Sequence, residues 1–178
     1  MIENTAQPKT NSPSIWVIRF ASQIKPRGTV LDLACGGGRN GRWFLEAGHH
    51  VTFLDRDVSA LRDLHNNPKA EVLCSNLEKS AHFPIGGQPF DGVVVTNFLQ
   101  RDILGNICDA VTPGGLLLYE TFGTGNETYG RPRNAKFLLK PGELIKTVRA
   151  NFDILGFEHG LRRIPSPAII QRVAAVKR

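Results

Sequence analysis

The strongest constraint on the fold of this chain is a single junction. Thr29-Val30-Leu31-Asp32-Leu33-Ala34 is a nearly continuous apolar run, and Gly36-Gly37-Gly38-Arg39-Asn40-Gly41 follows it directly. Such a run reads as a strand covered on both faces, as in a parallel sheet. Arg39–Ala47 then has a helical pattern, with Gly48 placed as its C′ stop. Glycines between a strand and a helix let the backbone turn tightly and come close to a ligand. On its own the G-x-G-x-x-G spacing is weak, because a purely structural turn satisfies it too.

The alternation continues along the chain. Residues 14–24 suggest a short helix, residues 51–55 a second strand, and residues 57–64 a helix capped by Asp57, with Val58, Leu61 and Leu64 on one face. Residues 70–74 and 90–96 are further strands, and residues 103–111 form a helix stopped by Pro113-Gly114-Gly115. Residues 116–121, 152–158 and 168–176 complete a set of seven strands, with a helix over residues 141–150 opened by Pro141. The last strand follows its predecessor after a short loop, so it pairs antiparallel. The expected fold is a Rossmann-like three-layer α/β sandwich. Its seven-stranded sheet is mostly parallel with an antiparallel last strand, and helices lie on both faces. Residues 1–178 read as one domain, with residues 1–12 polar, turn-rich and frayed. The gap 122–140 far exceeds an ordinary connection, which marks it as a candidate lid or substrate loop.

Composition narrows the setting. Nothing is apolar and long enough to span a membrane, and the start Met1-Ile2-Glu3-Asn4 has no signal-peptide pattern. Cys35, Cys74 and Cys108 are dispersed and odd in number, which suits a reducing, cytoplasmic compartment. The histidines, His49, His50, His65, His82 and His159, lack ligand spacing, so no metal is expected. The net charge of +6 is compatible with RNA, with a small anion, or with nothing more than a solvated surface.

Two acids discriminate between cofactors. Asp32 lies inside the glycine-loop strand, where a carboxylate would repel the pyrophosphate that dinucleotide sites place at the helix N-terminus. S-adenosylmethionine (SAM) has no phosphate and carries an ammonium and a sulfonium, so an acid there suits it. Asp55 ends the second strand, where a carboxylate accepts hydrogen bonds from ribose hydroxyls.

Val30-Leu-Asp-Leu-Ala-Cys-Gly-Gly-Gly-Arg39 resembles motif I of the class I SAM-dependent methyltransferases, with Ala34 in place of the first glycine. The resemblance covers nearly the whole chain. It includes Asp55, Cys74-Ser75-Asn76-Leu77-Glu78, Phe90-Asp91 and Pro113-Gly114-Gly115. Residues 13–20, 125–132 and 137–144 are similar to small bacterial single-domain proteins near the tellurite-resistance methyltransferase group. The resemblance implies SAM as cofactor, with Ala34, Cys35, Gly36 and Gly38 in its loop beside Asp32. Asp55 and Arg56 would lie at the ribose, and Asn76 and Leu77 at the adenine. Asn76 stands where the family commonly has aspartate.

Methyl transfer is an in-line displacement that mainly requires alignment and exclusion of water, so no obligatory catalytic residue is assigned. Asn97, which leaves the fourth strand, is a candidate for orienting the acceptor or bonding the SAM amino group. Tyr129 and Arg131 in the long loop are the other catalytic candidates. Asn97-Phe98-Leu99-Gln100 lacks the prolines of enzymes that methylate DNA-base amines. Arg19 is a candidate for the SAM carboxylate, and Arg101, Arg131 and Arg133 for an anionic substrate. Trp16 is a candidate cofactor cover, and Glu120 and Glu127 are candidate bases. The leading expectation is methylation of a small metabolite, with an anionic one as the option the arginines suggest. Against it stand three alternatives. One is an RNA methyltransferase using Arg162, Arg163, Arg172, Lys177 and Arg178. Another is an NAD-dependent oxidoreductase, for which no Tyr-x-x-x-Lys is present. The third is a SAM-binding protein without turnover.

Overall fold

A computed structural model describes residues 12–79, 83–85 and 89–178. The expected frayed start, apart from Ser12, lies outside them, as does His82. Seven strands form one sheet: β1 (Thr29–Leu33), β2 (His50–Asp55), β3 (Ala70–Cys74), β4 (Phe90–Thr96), β5 (Val111–Phe122), β6 (Phe152–Arg162) and β7 (Ala168–Lys177). Their order is β3-β2-β1-β4-β5-β7-β6. β1 pairs in parallel with both β2 and β4, while β7 runs antiparallel between β5 and β6. The chain winds outward from β1 through β3 and returns to β4 on the other side of β1. The carboxyl ends of β1 and β4 therefore flank the crevice where ligands bind such sheets.

Residue alternation sends successive β1 side chains to opposite layers. Leu31 and Leu33 pack with Val93, Val95, Leu117 and Tyr119 under α3 (Leu104–Asp109) and α4 (Glu143–Val148). Val30 packs with Phe53, Val94 and Leu118 under α1 (Ile15–Phe20) and α2 (Arg39–Glu46). Both faces of the central strands are thus dry, which accounts for their unbroken apolar sequence.

Several elements differ in detail from the sequence expectation. Residues 59–64 form a 3-10 helix, not an α-helix. Asn66-Asn67-Pro68 follows at once, leaving too little chain to propagate an α-helix. Asp57 still serves this turn, since its Oδ1 accepts from the Ser59 N–H at 3.0 Å. Pro113-Gly114-Gly115 does not end the structure before β5. Residues 112–115 bulge out between the pairs Phe90↔Val111 and Gly92↔Leu116, and β5 continues on both sides. The α3 and α4 segments are each shorter than their patterns suggest. Residues 122–140 are well organised. Gly123 bridges Leu139, two 3-10 turns cover Asn126–Thr128 and Ala135–Phe137, and the buried Asn126 side chain donates to the Pro132 carbonyl at 3.1 Å.

Candidate active site

The glycine loop divides into two parts with different jobs. A Cβ built at Gly36 or Gly37 would meet nothing within 4 Å, so this backbone faces open space. At Gly38 a Cβ would come 2.8 Å from Leu61 and 3.0 Å from the Phe53 ring, and at Gly41 it would run into the same ring. Gly38 and Gly41 are therefore packing glycines that let α2 lie close on β2, and Gly38 does not line the cavity. Gly38 caps α2 in the left-handed conformation (φ 74°) and has no side chain to serve the helix donors.

Asp32 supplies what Gly38 lacks. Its Oδ2 accepts the Gly41 N–H at 2.7 Å, satisfying a first-turn donor of α2, while its other oxygen is buried without a partner. Burial pushes the carboxyl up to about 7, against the opposing pull of the Gly41 N–H and Arg39. The carboxylate is thus not placed beside the ligand cavity, contrary to what its position in the glycine-loop strand suggests. Asp32 lies on the α2 face of β1, is directed at the helix start, and is not among the cavity residues. One of the first-turn donors of α2 is thereby taken by a carboxylate.

Asp55 stands at the end of β2 and lines a cavity of about 370 Å³. The Gly36 N–H donates to its Oδ2 at 2.7 Å and the Asp57 N–H to its Oδ1 at 3.1 Å, which fix the carboxylate in place. Each oxygen keeps a further lone pair for a hydroxyl donor. Of the other expected site residues, Ala34, Arg56, Asn76, Leu77 and Asn97 also line this cavity. Arg56 reaches Glu78 at 3.7 Å across the same wall. Ala34 (φ 53°) and Asn97 (φ 57°) both adopt the left-handed conformation, which turns the chain sharply at the ends of β1 and β4. Cys35 is outside the lining; burial and the nearby Asp32 and Asp55 push its thiol well up, so it stays neutral.

Other candidates are placed elsewhere. Arg19 is largely exposed, reaches Glu158 at 3.6 Å and lies over the Trp16 and Phe20 rings, away from the cavity. Trp16 is a core residue beneath Arg172, not a cover for the cofactor. Arg101 is committed to Glu143 at 2.6 Å. Glu120 is buried with Arg172 at 3.2 Å and Arg162 at 3.8 Å, and Glu127 accepts from the Gly125 N–H. Tyr129, Arg131 and Arg133 are exposed and outside the lining, although Pro132 between the two arginines is part of it. Most of the late basic residues are engaged inside the fold. Arg172 also binds Glu158, Lys177 donates to the Cys108 and Asp109 carbonyls, and Arg178 to those of Arg149 and Ala150.

The cavity is also lined by Phe98, Leu99, Thr121, Phe122, Pro132 and Phe137. Apart from Phe98, these residues were not anticipated individually. The length of the 122–140 segment is a signal for Phe122, Pro132 and Phe137; Leu99 and Thr121 lie outside it. Among the described residues no group of His, Cys, Asp and Glu is arranged to hold a metal, and no helix is long and apolar enough to cross a membrane.

Residues 30–115 match the methyltransferase domain family. The chain is 30% identical over 104 residues to malonyl-(acyl-carrier protein) O-methyltransferase of Salmonella typhimurium, an alignment covering 55% of this chain and 40% of that protein. The chain thus spans well under half the length of that curated relative. Its fold is similar to that of TehB from Haemophilus influenzae, with TM-score 0.74 and 20% identity over 91% of this chain and 61% of that one. It is also similar to the Burkholderia thailandensis 1,6-didemethyltoxoflavin-N1-methyltransferase solved with S-adenosylhomocysteine (SAH), with TM-score 0.68 and 20% identity over 91% and 76%. A TehB-like SAM-dependent methyltransferase from Corynebacterium glutamicum gives TM-score 0.64 and 21% identity over 93% and 89%. The matched segment spans the glycine loop, Asp55 and β4, and the sheet that carries them is folded like those of the TehB proteins.

Proposed function

We propose that this chain transfers a methyl group from SAM to a small acceptor bearing an anionic group. The observation that carries the reading is Asp55. It is a carboxylate at the end of β2, held by the Gly36 and Asp57 N–H groups and lining the same cavity as Asn76 and Leu77. In this reading Asp55 accepts from the ribose hydroxyls, Leu77 and Asn76 meet the adenine, and Ala34 and Gly36 border the methionyl arm. The cofactor supplies an electrophilic methyl carbon. The protein's part is to orient the acceptor and keep water out.

The Phe98, Phe122, Pro132 and Phe137 surfaces supply an apolar wall for the acceptor end, and Asn97 places a polar side chain beside it. The lining carboxylates are Asp55, which is held by backbone donors, and Glu78, which faces Arg56; no lining group stands as an uncommitted base. An acceptor that arrives with an available lone pair suits such a site. Arg131 and Arg133 flank Pro132 at the cavity wall, and this favours an acceptor with a negative group. A cytoplasmic setting is supported by three free thiols, Cys35, Cys74 and Cys108.

The test is a screen of cell extracts with methyl-labelled SAM, run with and without nuclease treatment. Label in a small, anion-exchange-retained product that survives nuclease is the expected result. Label confined to nuclease-sensitive material would transfer the assignment to RNA.

A further inference from the structure

The Arg101 side chain joins two walls of the cavity that are far apart in sequence. It begins the 3-10 turn Arg101–Ile103, two residues after the lining residue Leu99. Its Nη1 donates to the Lys136 carbonyl at 2.7 Å and its Nη2 to the Leu138 carbonyl at 2.8 Å. Those are the carbonyls on either side of Phe137, itself a lining residue. The guanidinium is held by Glu143 on two nitrogens, Nε to Oε1 at 2.6 Å and Nη2 to Oε2 at 2.9 Å. Glu143 is in turn fixed by the Lys140 N–H at 2.7 Å, and its carboxyl is held below the usual range chiefly by Arg101. One planar fork therefore grips α4 and the backbone around Phe137 from the exit of β4.

We propose that Arg101 is a positioning residue for the ligands of this cavity, clamping the Phe137 wall against the Phe98-Leu99 wall. The proposal rests on the SAM reading, and SAH is the probe. The clamp acts through a defined side chain, so its contribution depends on Phe137 being present. A merely structural role would instead weaken the fold and leave the two residues energetically independent.

The experiment is a double-mutant cycle of R101A and F137A, read as the SAH dissociation rate and affinity. Amide exchange over residues 135–139 is followed in the ligand-free proteins. R101A should release SAH roughly ten- to a hundredfold faster, within the coupling range of residues that share partners. It should also raise exchange at the Phe137, Leu138 and Leu139 amides. In the F137A background the same change should have little further effect on SAH. R101K, which replaces the fork with a single nitrogen, should fall between wild type and R101A; it takes the place of R101A in the cycle if the alanine variant does not fold. Additive effects of R101A and F137A, or unchanged exchange and release in R101A, would overturn the clamp while the SAM reading stands. A wild-type protein that does not bind SAH would overturn the cofactor reading, and the clamp's role in ligand binding with it.

Discussion

Asp32 has one oxygen on the Gly41 N–H and the other buried without a partner, and its carboxyl is raised from an ordinary 3.8 to about 7. The folded protein thus keeps a proton that the unfolded chain gives up. The stability tied to that proton is fully present below 3.8 and is lost as the pH climbs through about 7. Asp32→Asn keeps an acceptor for Gly41 and removes the titration. It should flatten the pH dependence of thermal stability between about pH 4 and pH 7 and raise the melting temperature at about pH 8. An unchanged slope in a set of melts across that range would contradict the assignment. Ala34 holds a left-handed φ of 53° with a Cβ, a conformation that costs about 1–2 kcal/mol outside glycine. Ala34→Gly should therefore stabilise the ligand-free protein by about 1 kcal/mol in denaturant titrations, and a loss of stability would count against the strained turn. The sequence made the cavity positions of Ala34, Asp55, Asn76, Leu77 and Asn97 legible, because each is fixed to a strand end. It did not reveal the direction of Asp32 or the commitments of Arg19, Arg101 and Glu120. Those depend on partners such as Glu158 and Glu143, brought close only by the fold.

The α2–β2 contact shows why the glycine spacing is so restrictive. Gly36 and Gly37 have open space where a Cβ would stand, whereas Gly38 and Gly41 are packed on Phe53 and Leu61. Gly41→Ala should cost about 1–3 kcal/mol by overpacking the Phe53 ring, as measured by thermal or chemical unfolding. Stability close to wild type would mean that α2 does not need this close approach. Periodicity located every strand of the sheet, since alternating layers impose their pattern on β1, β2, β4 and β5. It overstated the helices. Over residues 59–64 the pattern of Leu61 and Leu64 is equally served by a 3-10 turn, and the length available before Pro68 decides the outcome. The 122–140 segment was legible as unusual in length but not in form. Its order comes from the Gly123–Leu139 bridge, the buried Asn126 and the Arg101 fork, none of which has a local signature.

For the molecule as a whole, the sheet order sets where the chemistry is done. The reversal at β1 and β4 opens the crevice at their carboxyl ends, and β2, β3 and β5 add Asp55, the Ser75–Glu78 turn, Thr121 and Phe122 to the same cavity. Of the late basic residues, Arg162 and Arg172 face the buried Glu120, and Arg178 reaches Asp153 at 3.5 Å, whereas Lys177 is held by neutral carbonyls and keeps its charge. In the proposed reading the cavity takes an adenosine with a cationic arm in preference to a dinucleotide. Calorimetric titration of the protein with SAH and with NAD tests it most directly. Saturable one-site binding of SAH is predicted, weakened by about 1.5–3 kcal/mol in Asp55→Ala through lost charge-assisted bonds, with no heat from NAD. Saturable NAD binding in the absence of SAH binding would reverse that assignment.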